Sequence, residues 1–90
     1  MKKRLRVYRM NDCDWWIGTS FESTTKAYLA HISPPYRKDA LCEPRMLRRD
    51  ELLKLIYADE DNGHCTFAKQ LEVETLRGGK FPRYFASTEM

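Results

Sequence analysis

The sequence predicts a compact α+β domain: a small antiparallel sheet of two or three strands with two helices packed on one face. Three observations carry this expectation. Residues 3–10 alternate apolar and basic side chains, the period of two expected of a strand with one buried face. Two later stretches, 20–32 and 67–77, place apolar residues at helical spacing between recognisable start and stop signals. The 90 residues leave room for one domain, and 42% hydrophobic content is enough to form its core without a metal or a disulfide.

The elements follow in order. In the first strand Leu5 and Val7 share one face, while Arg4, Arg6 and Tyr8 share the other. Asn11-Asp12 is a turn signal, and residues 14–18 (Asp-Trp-Trp-Ile-Gly) read as a second strand paired with the first. Thr19 and Glu22 have the spacing of a capping box at the start of the first helix. Phe21, Thr25, Tyr28, Leu29 and Ile32 then form one stripe, and Pro34-Pro35 forbids continuation. Residues 34–49 are polar, basic and punctuated by proline, and read as a long loop with little regular structure. A brief helical turn from Asp50 runs into a third strand, 55–58, followed by a hydrophilic turn at 59–63. The last helix starts near Thr66 and ends at Arg77, where Gly78 supplies a left-handed cap. Three aromatics between Phe81 and Phe85 predict a tail packed back on the core. The expected core is Leu5, Val7, Ile17, Phe21, Tyr28, Leu29, Ile32, Leu55, Phe67, Leu71 and Phe85.

Length excludes a barrel enzyme or a dinucleotide-binding fold, which need about 150–250 residues. No apolar run approaches the roughly 18 residues of a membrane span, and no apolar stretch follows the basic N-terminus, so neither a membrane span nor a secretory signal is expected. Three widely spaced cysteines, Cys13, Cys42 and Cys65, read as free, buried thiols in a reducing cytoplasm. Their convergence with His64 on a metal is the alternative, although the spacing is not that of a zinc site.

Few residues suggest catalysis. Asp12 and Asp14 stand two apart beside Cys13, where paired carboxylates can hold magnesium or exchange protons, but with no third ligand in the sequence two close aspartates beside a strand end are far more often turn formers. Residues 59–70 fail the calcium-loop pattern, with Gly63 at position 5 and Gln70 at position 12. Gly78-Gly79-Lys80 follows a helix rather than opening one, so it is not a phosphate loop. His31 suits a helix C-terminus, and His64 sits in an acidic turn. No cofactor and no catalytic set is expected.

Charge is more informative. The net +3 hides blocks of alternating sign, with five basic residues in 1–10 and six in 26–49. Such blocks can pair across the fold, or Arg4, Arg6 and Arg9 can join Arg45, Arg48 and Arg49 in a basic face for nucleic acid or an acidic protein. Trp15 and Trp16 point to opposite faces of a strand. Either both are structural, or one faces outward beside Tyr8 and the basic strand as an interface anchor.

Two blocks resemble a known group. One is Met10-Asn11-Asp12-Cys13-Asp14-Trp15-Trp16 with the helix that follows it. The other comprises Tyr57-Ala58-Asp59-Glu60-Asp61, Thr66-Phe67, and the run from Gly79 to Glu89 that ends in Phe-Ala-Ser-Thr-Glu. Together they cover about half of the chain and resemble small proteins, without an assigned activity, carried by phages and prophages of Gram-negative bacteria. The resemblance implies a cytoplasmic, phage-related protein. The function expected is therefore a non-enzymatic accessory protein, monomer or homodimer, that binds a host protein, for example to inhibit a defence or replication component. The alternative is a small nucleic-acid binder using the basic strand and the arginine-rich loop, and a small metal-dependent enzyme ranks third.

Overall fold

The computed structural model describes residues 4–59 and 63–87. Lys2, Lys3, most of the expected 59–63 turn and the end of the Phe-Ala-Ser-Thr-Glu block lie outside the described residues. The fold is mixed α+β, built around a four-stranded antiparallel sheet and a separate two-stranded hairpin. In the sheet β1 (Arg6–Arg9) and β2 (Asp14–Gly18) are central, and β3 (Arg45–Met46) and β6 (Arg83–Ser87) are the edges, giving the order β3-β1-β2-β6. The hairpin pairs β4 (Ile56–Asp59) with β5 (Gly63–Thr66).

The hairpin β1–β2 forms where residue alternation and the turn agree. Asn11 Oδ1 accepts from the backbone N–H groups of Cys13 (2.8 Å) and Asp14 (3.0 Å), an Asx turn that reverses the chain. Val7 then faces Ile17, and Tyr8 faces Trp16. These two pairs point to opposite sides of the sheet, and each side is covered. On one side Val7, Trp15, Ile17, Leu47, Phe67 and Phe85 form a core beneath α3 (Arg49–Lys54), the hairpin and α4 (Phe67–Arg77). On the other, Tyr8, Met10, Trp16, Tyr28 and Ala40 form a second core beneath α1 (Phe21–His31) and the short helix α2 (Arg37–Ala40).

Three expectations about the architecture are corrected here. The sheet has four strands rather than two or three, because the aromatic tail pairs with β2 as β6 and residues 45–46 pair with β1. The two long helices lie on opposite faces, because β1 and β2 carry bulky apolar side chains on both. The 55–58 strand belongs to the hairpin and not to the sheet.

The long helices have the predicted spans. α4 begins at Thr66, whose hydroxyl accepts from Lys69 N–H, and ends at Gly78, whose φ of 67° few other residues adopt readily. In α1 the cap is Ser20, accepting from Ser23 N–H, and not Thr19. The inward face of α1 is correspondingly rotated: Thr24 and Tyr28 are buried, and Phe21 is 41% exposed. Thr24 packs so close to β2 that a Cβ at Gly18 would stand 2.1 Å from its Oγ1.

Residues 34–49, expected as an irregular loop, hold a 3₁₀ turn (Pro34–Tyr36), α2 and β3. Arg37 Nε donates to the carbonyls of Leu29 and Ile32 at 2.9 and 3.0 Å, so this segment satisfies the C-terminal end of α1.

Candidate functional site

A groove of about 1220 Å³ lies between α3 and α4, on the side of the sheet opposite α1. It lies where β1 begins and β2 ends. Its floor is the half-buried side chains of Leu5, Leu52, Leu71 and Phe81. Its rim carries Leu53, 52% exposed, and Leu76, 89% exposed.

Helix geometry explains why α4 exposes a leucine here. Phe67, Leu71 and Glu74 follow the inward stripe at i, i+4 and i+7. Leu76 comes five residues after Leu71, about 140° around the helix, and therefore leaves the core stripe. Ala68, Glu72, Thr75 and Leu76 make a second stripe along the groove. On α3, Leu52 packs against the core while its neighbour Leu53, about 100° away, stands clear of it.

The rim is basic. Arg4 and Arg49 line it and have no carboxylate partner among the described residues, while Lys69 stands 3.8 Å from Glu72 with both side chains well exposed. Beneath the far end of α4, Glu74 is buried and accepts from Gln70 Nε2 (2.9 Å), Arg77 Nη1 (3.3 Å) and Arg83 Nη2. Arg83 also donates to the carbonyl of Gly78 at 2.8 Å and lays its guanidinium 4.3 Å from the centre of the Phe81 ring. These bonds fasten β6 and the 78–81 turn to α4 and so fix one end of the groove.

The sequence-predicted site residues disperse. Arg4 and Arg49 reach the groove. Arg9 pairs with Asp12 and lies 3.9 Å from Glu43. Arg45 pairs with Glu51, and Arg48 lies 3.7 Å from Asp50 and 3.8 Å from Glu51. The Arg45 hydrogen bond, with the Arg48 backbone N–H, holds the Glu51 carboxyl down at a pKa of about 2. Arg6 is half-buried in the sheet. One continuous basic face made of these arginines is therefore not what the fold builds.

Of the two readings of the tryptophan pair, the fold builds the one in which both are structural, and neither indole faces outward as an interface anchor. Trp15 is 9% exposed and packs edge-on against Phe67, while Trp16 is 8% exposed and packs edge-on against Tyr28. Tyr8 is buried as well, which raises its pKa. All three are covered because the sheet carries helices on both faces.

Asp12 and Asp14 diverge. Asp12 turns to Arg9, and Asp14 accepts from the Tyr28 hydroxyl at 2.8 Å. Asn11 completes that cluster, donating to Tyr28 Oη (2.9 Å) and to the carbonyl of Ala40 (2.7 Å). Burial and then the Asp14 bond push the Tyr28 pKa up to about 12. Cys13 and Cys42 are exposed rather than buried, and Cys65 is half-buried in the hairpin. Among the described residues no group of three or more His, Cys, Asp or Glu side chains is placed to hold a metal ion, and no helix is long and apolar enough to cross a membrane.

Sequence reasoning placed Leu5 and Leu71 in the core but missed the groove they floor. The available signal was the position of Leu76 off the apolar stripe of its own helix. Comparisons with protein-family models, with curated proteins and with solved structures find no match.

Proposed function

We propose that this chain is a non-enzymatic accessory protein of phage or prophage type that acts in the bacterial cytoplasm by binding a host protein, as an inhibitor of a defence or replication component would. The observation that supports this reading is the groove between α3 and α4, with exposed Leu53 and Leu76 above an apolar floor. Apolar surface gathered in a concavity and rimmed by polar groups is the character of a protein-binding site. The nucleic-acid alternative is weaker, because Arg9, Arg45 and Arg48 face carboxylates of the same chain and have less charge to offer phosphates.

The test is affinity capture from nuclease-treated bacterial lysate with the tagged wild type and with Leu76→Asp. Leu76 is 89% exposed, so its replacement leaves the core intact and costs about 1 kcal/mol, from the helix propensity of aspartate and its charge near the C-terminus of α4. A discrete protein held by the wild type and reduced at least about tenfold by Leu76→Asp is the expected result. Capture that is indifferent to Leu76→Asp, or that disappears with nuclease, overturns the proposal.

A further inference from the structure

We infer that the groove between α3 and α4 takes an amphipathic helix of a partner protein, one that presents leucine-type side chains on one face and carboxylates along its margins. This inference rests on the protein-binding reading above and adds the chemistry of the partner.

Three observations carry it. The first is the pairing of an aliphatic floor and rim (Leu5, Leu52, Leu71, Leu53, Leu76) with a basic perimeter. Arg4, Arg49 and Lys69 outnumber Glu72, the one acidic side chain among the lining residues, and the two arginines have no carboxylate partner among the described residues. An occupant that buries apolar side chains there and brings carboxylates to its edges satisfies both. The second is that the groove offers side chains and not a strand edge. Leu5 precedes β1, whose two neighbours in the sheet are already in place, and Thr66 is the last residue of β5 and the cap of α4. Among the described residues β5 has a free edge, but Thr66 is the one β5 residue lining the groove, so an extended peptide would find no ladder longer than that residue, whereas a helix satisfies its own backbone and needs only a groove for its apolar stripe. The third is what the walls disfavour. A second copy docked groove to groove would set Arg4, Arg49 and Lys69 against the same three residues. A nucleic acid would find aliphatic walls, and the ring at the floor, Phe81, already carries the Arg83 guanidinium over its face.

The experiment uses four synthetic peptides of about 18 residues, or five helical turns. Three share a leucine face at i, i+3, i+4 and i+7 and carry Glu, Gln or Lys at the marginal positions. The fourth is the Glu peptide with two central prolines. Each is titrated into the isotope-labelled full chain, and backbone amide shifts are followed at about 0.05 M and 0.5 M salt. The Glu peptide is expected to bind best, about tenfold tighter than the Lys peptide at low salt, from three rim pairs acting together. Its shifts should map to residues 49–53 and 68–76, its advantage should shrink several-fold at high salt, and Arg4→Glu with Arg49→Glu should invert the order. Equal affinity for the Glu, Gln and Lys peptides overturns the acidic partner. Equal affinity for the proline peptide overturns the helix, and shifts elsewhere overturn the site. If Leu76→Asp abolishes protein capture while none of the peptides binds, the inference fails and the protein-binding reading stands. If capture ignores Leu76→Asp, that reading fails first.

Discussion

Replacing Gly18 with alanine tests how closely α1 is seated on the sheet. The new methyl would stand 2.1 Å from Thr24 Oγ1 and 3.3 Å from Thr24 Cβ and Pro82 Cβ. Ordinary carbon–oxygen contact needs more than a further ångström, and Thr24 is fully buried with its hydroxyl bonded to the carbonyl of Ser20 at 2.6 Å. Helix and strand must separate, or Thr24 must leave its rotamer and its hydrogen bond. Overpacking of this kind costs about 1–3 kcal/mol. Alanine also narrows the unfolded ensemble relative to glycine, which returns about 0.5 kcal/mol. The net expectation is a loss of about 2 kcal/mol, or a fall in Tm on the order of 10 °C for a domain of this size. Thermal and urea melts of four proteins decide the matter: wild type, Gly18→Ala, Thr24→Ala and the double variant. Thr24→Ala alone should cost about 1 kcal/mol for its hydrogen bond and methyl. In the double variant the clash with Oγ1 is gone, so its loss should fall short of the sum of the singles by about 1 kcal/mol. A Gly18→Ala protein as stable as the wild type, or strict additivity in the double variant, would refute the close seating.

Three further outcomes are expected. The Tyr28 pKa is raised to about 12, so the folded state keeps a proton that the unfolded chain releases near pH 10. Its contribution is therefore complete below pH 10 and declines by about 2 kcal/mol as pH rises towards 12, and alkaline melts of Tyr28→Phe should lack this component. For Glu51, held down to about 2, the sign is opposite: stability is present above the ordinary carboxyl range and is lost as pH falls towards 2. Because Arg45 is nearly half exposed, that loss is only about 1 kcal/mol, and Glu51→Gln should flatten acid melts by that amount. Glu74→Ala removes the acceptor shared by Gln70, Arg77 and Arg83 and should cost about 2–3 kcal/mol in a urea melt, with Arg83→Ala on top adding only about 1 kcal/mol for its remaining contacts with the Gly78 carbonyl and the Phe81 ring.

Local signals in the sequence were legible where one residue settles an end. Thr66 and Gly78 bracket α4 because a hydroxyl cap and a positive φ are properties of those residues themselves. Thr19 against Ser20 was not decidable, since both carry hydroxyls and the choice follows from how Thr24 packs beneath Gly18. β3 has two residues and no pattern of its own, and it exists because β1 offers a free ladder there. β6 lacks alternation, so its aromatics announced packing but not pairing. The position of the helices was misjudged for a physical reason. Arg4 and Arg6, alternating with Leu5 and Val7, suggested one wet face, whereas Tyr8, Met10 and the doubled tryptophan require cover on both. Of the site, Arg4 and Arg49 were readable as basic surface. The groove itself was not, because it depends on how far α3 and α4 stand apart, which no local pattern encodes.

Two identical side chains in succession on the central strand leave a possible ambiguity in pairing. If β2 slid by one residue, Trp15 would take the place of Trp16, and the loss of shape at that one position would be small. Discrimination falls on the next residue out. The slip would carry the Asp14 carboxylate to the position of Trp15, against Phe67, and strip it of the Tyr28 hydroxyl. A charge in that layer with no cation beside it is far costlier than a misplaced ring. The Asn11 clasp on the Cys13 and Asp14 amides, and the extra residue of β6 opposite the Trp15–Trp16 step, hold the same alignment from either side. Mis-registry is thus prevented by a short polar turn outside both cores, where a single substitution such as Asn11→Ala would loosen the strand that the two cores share.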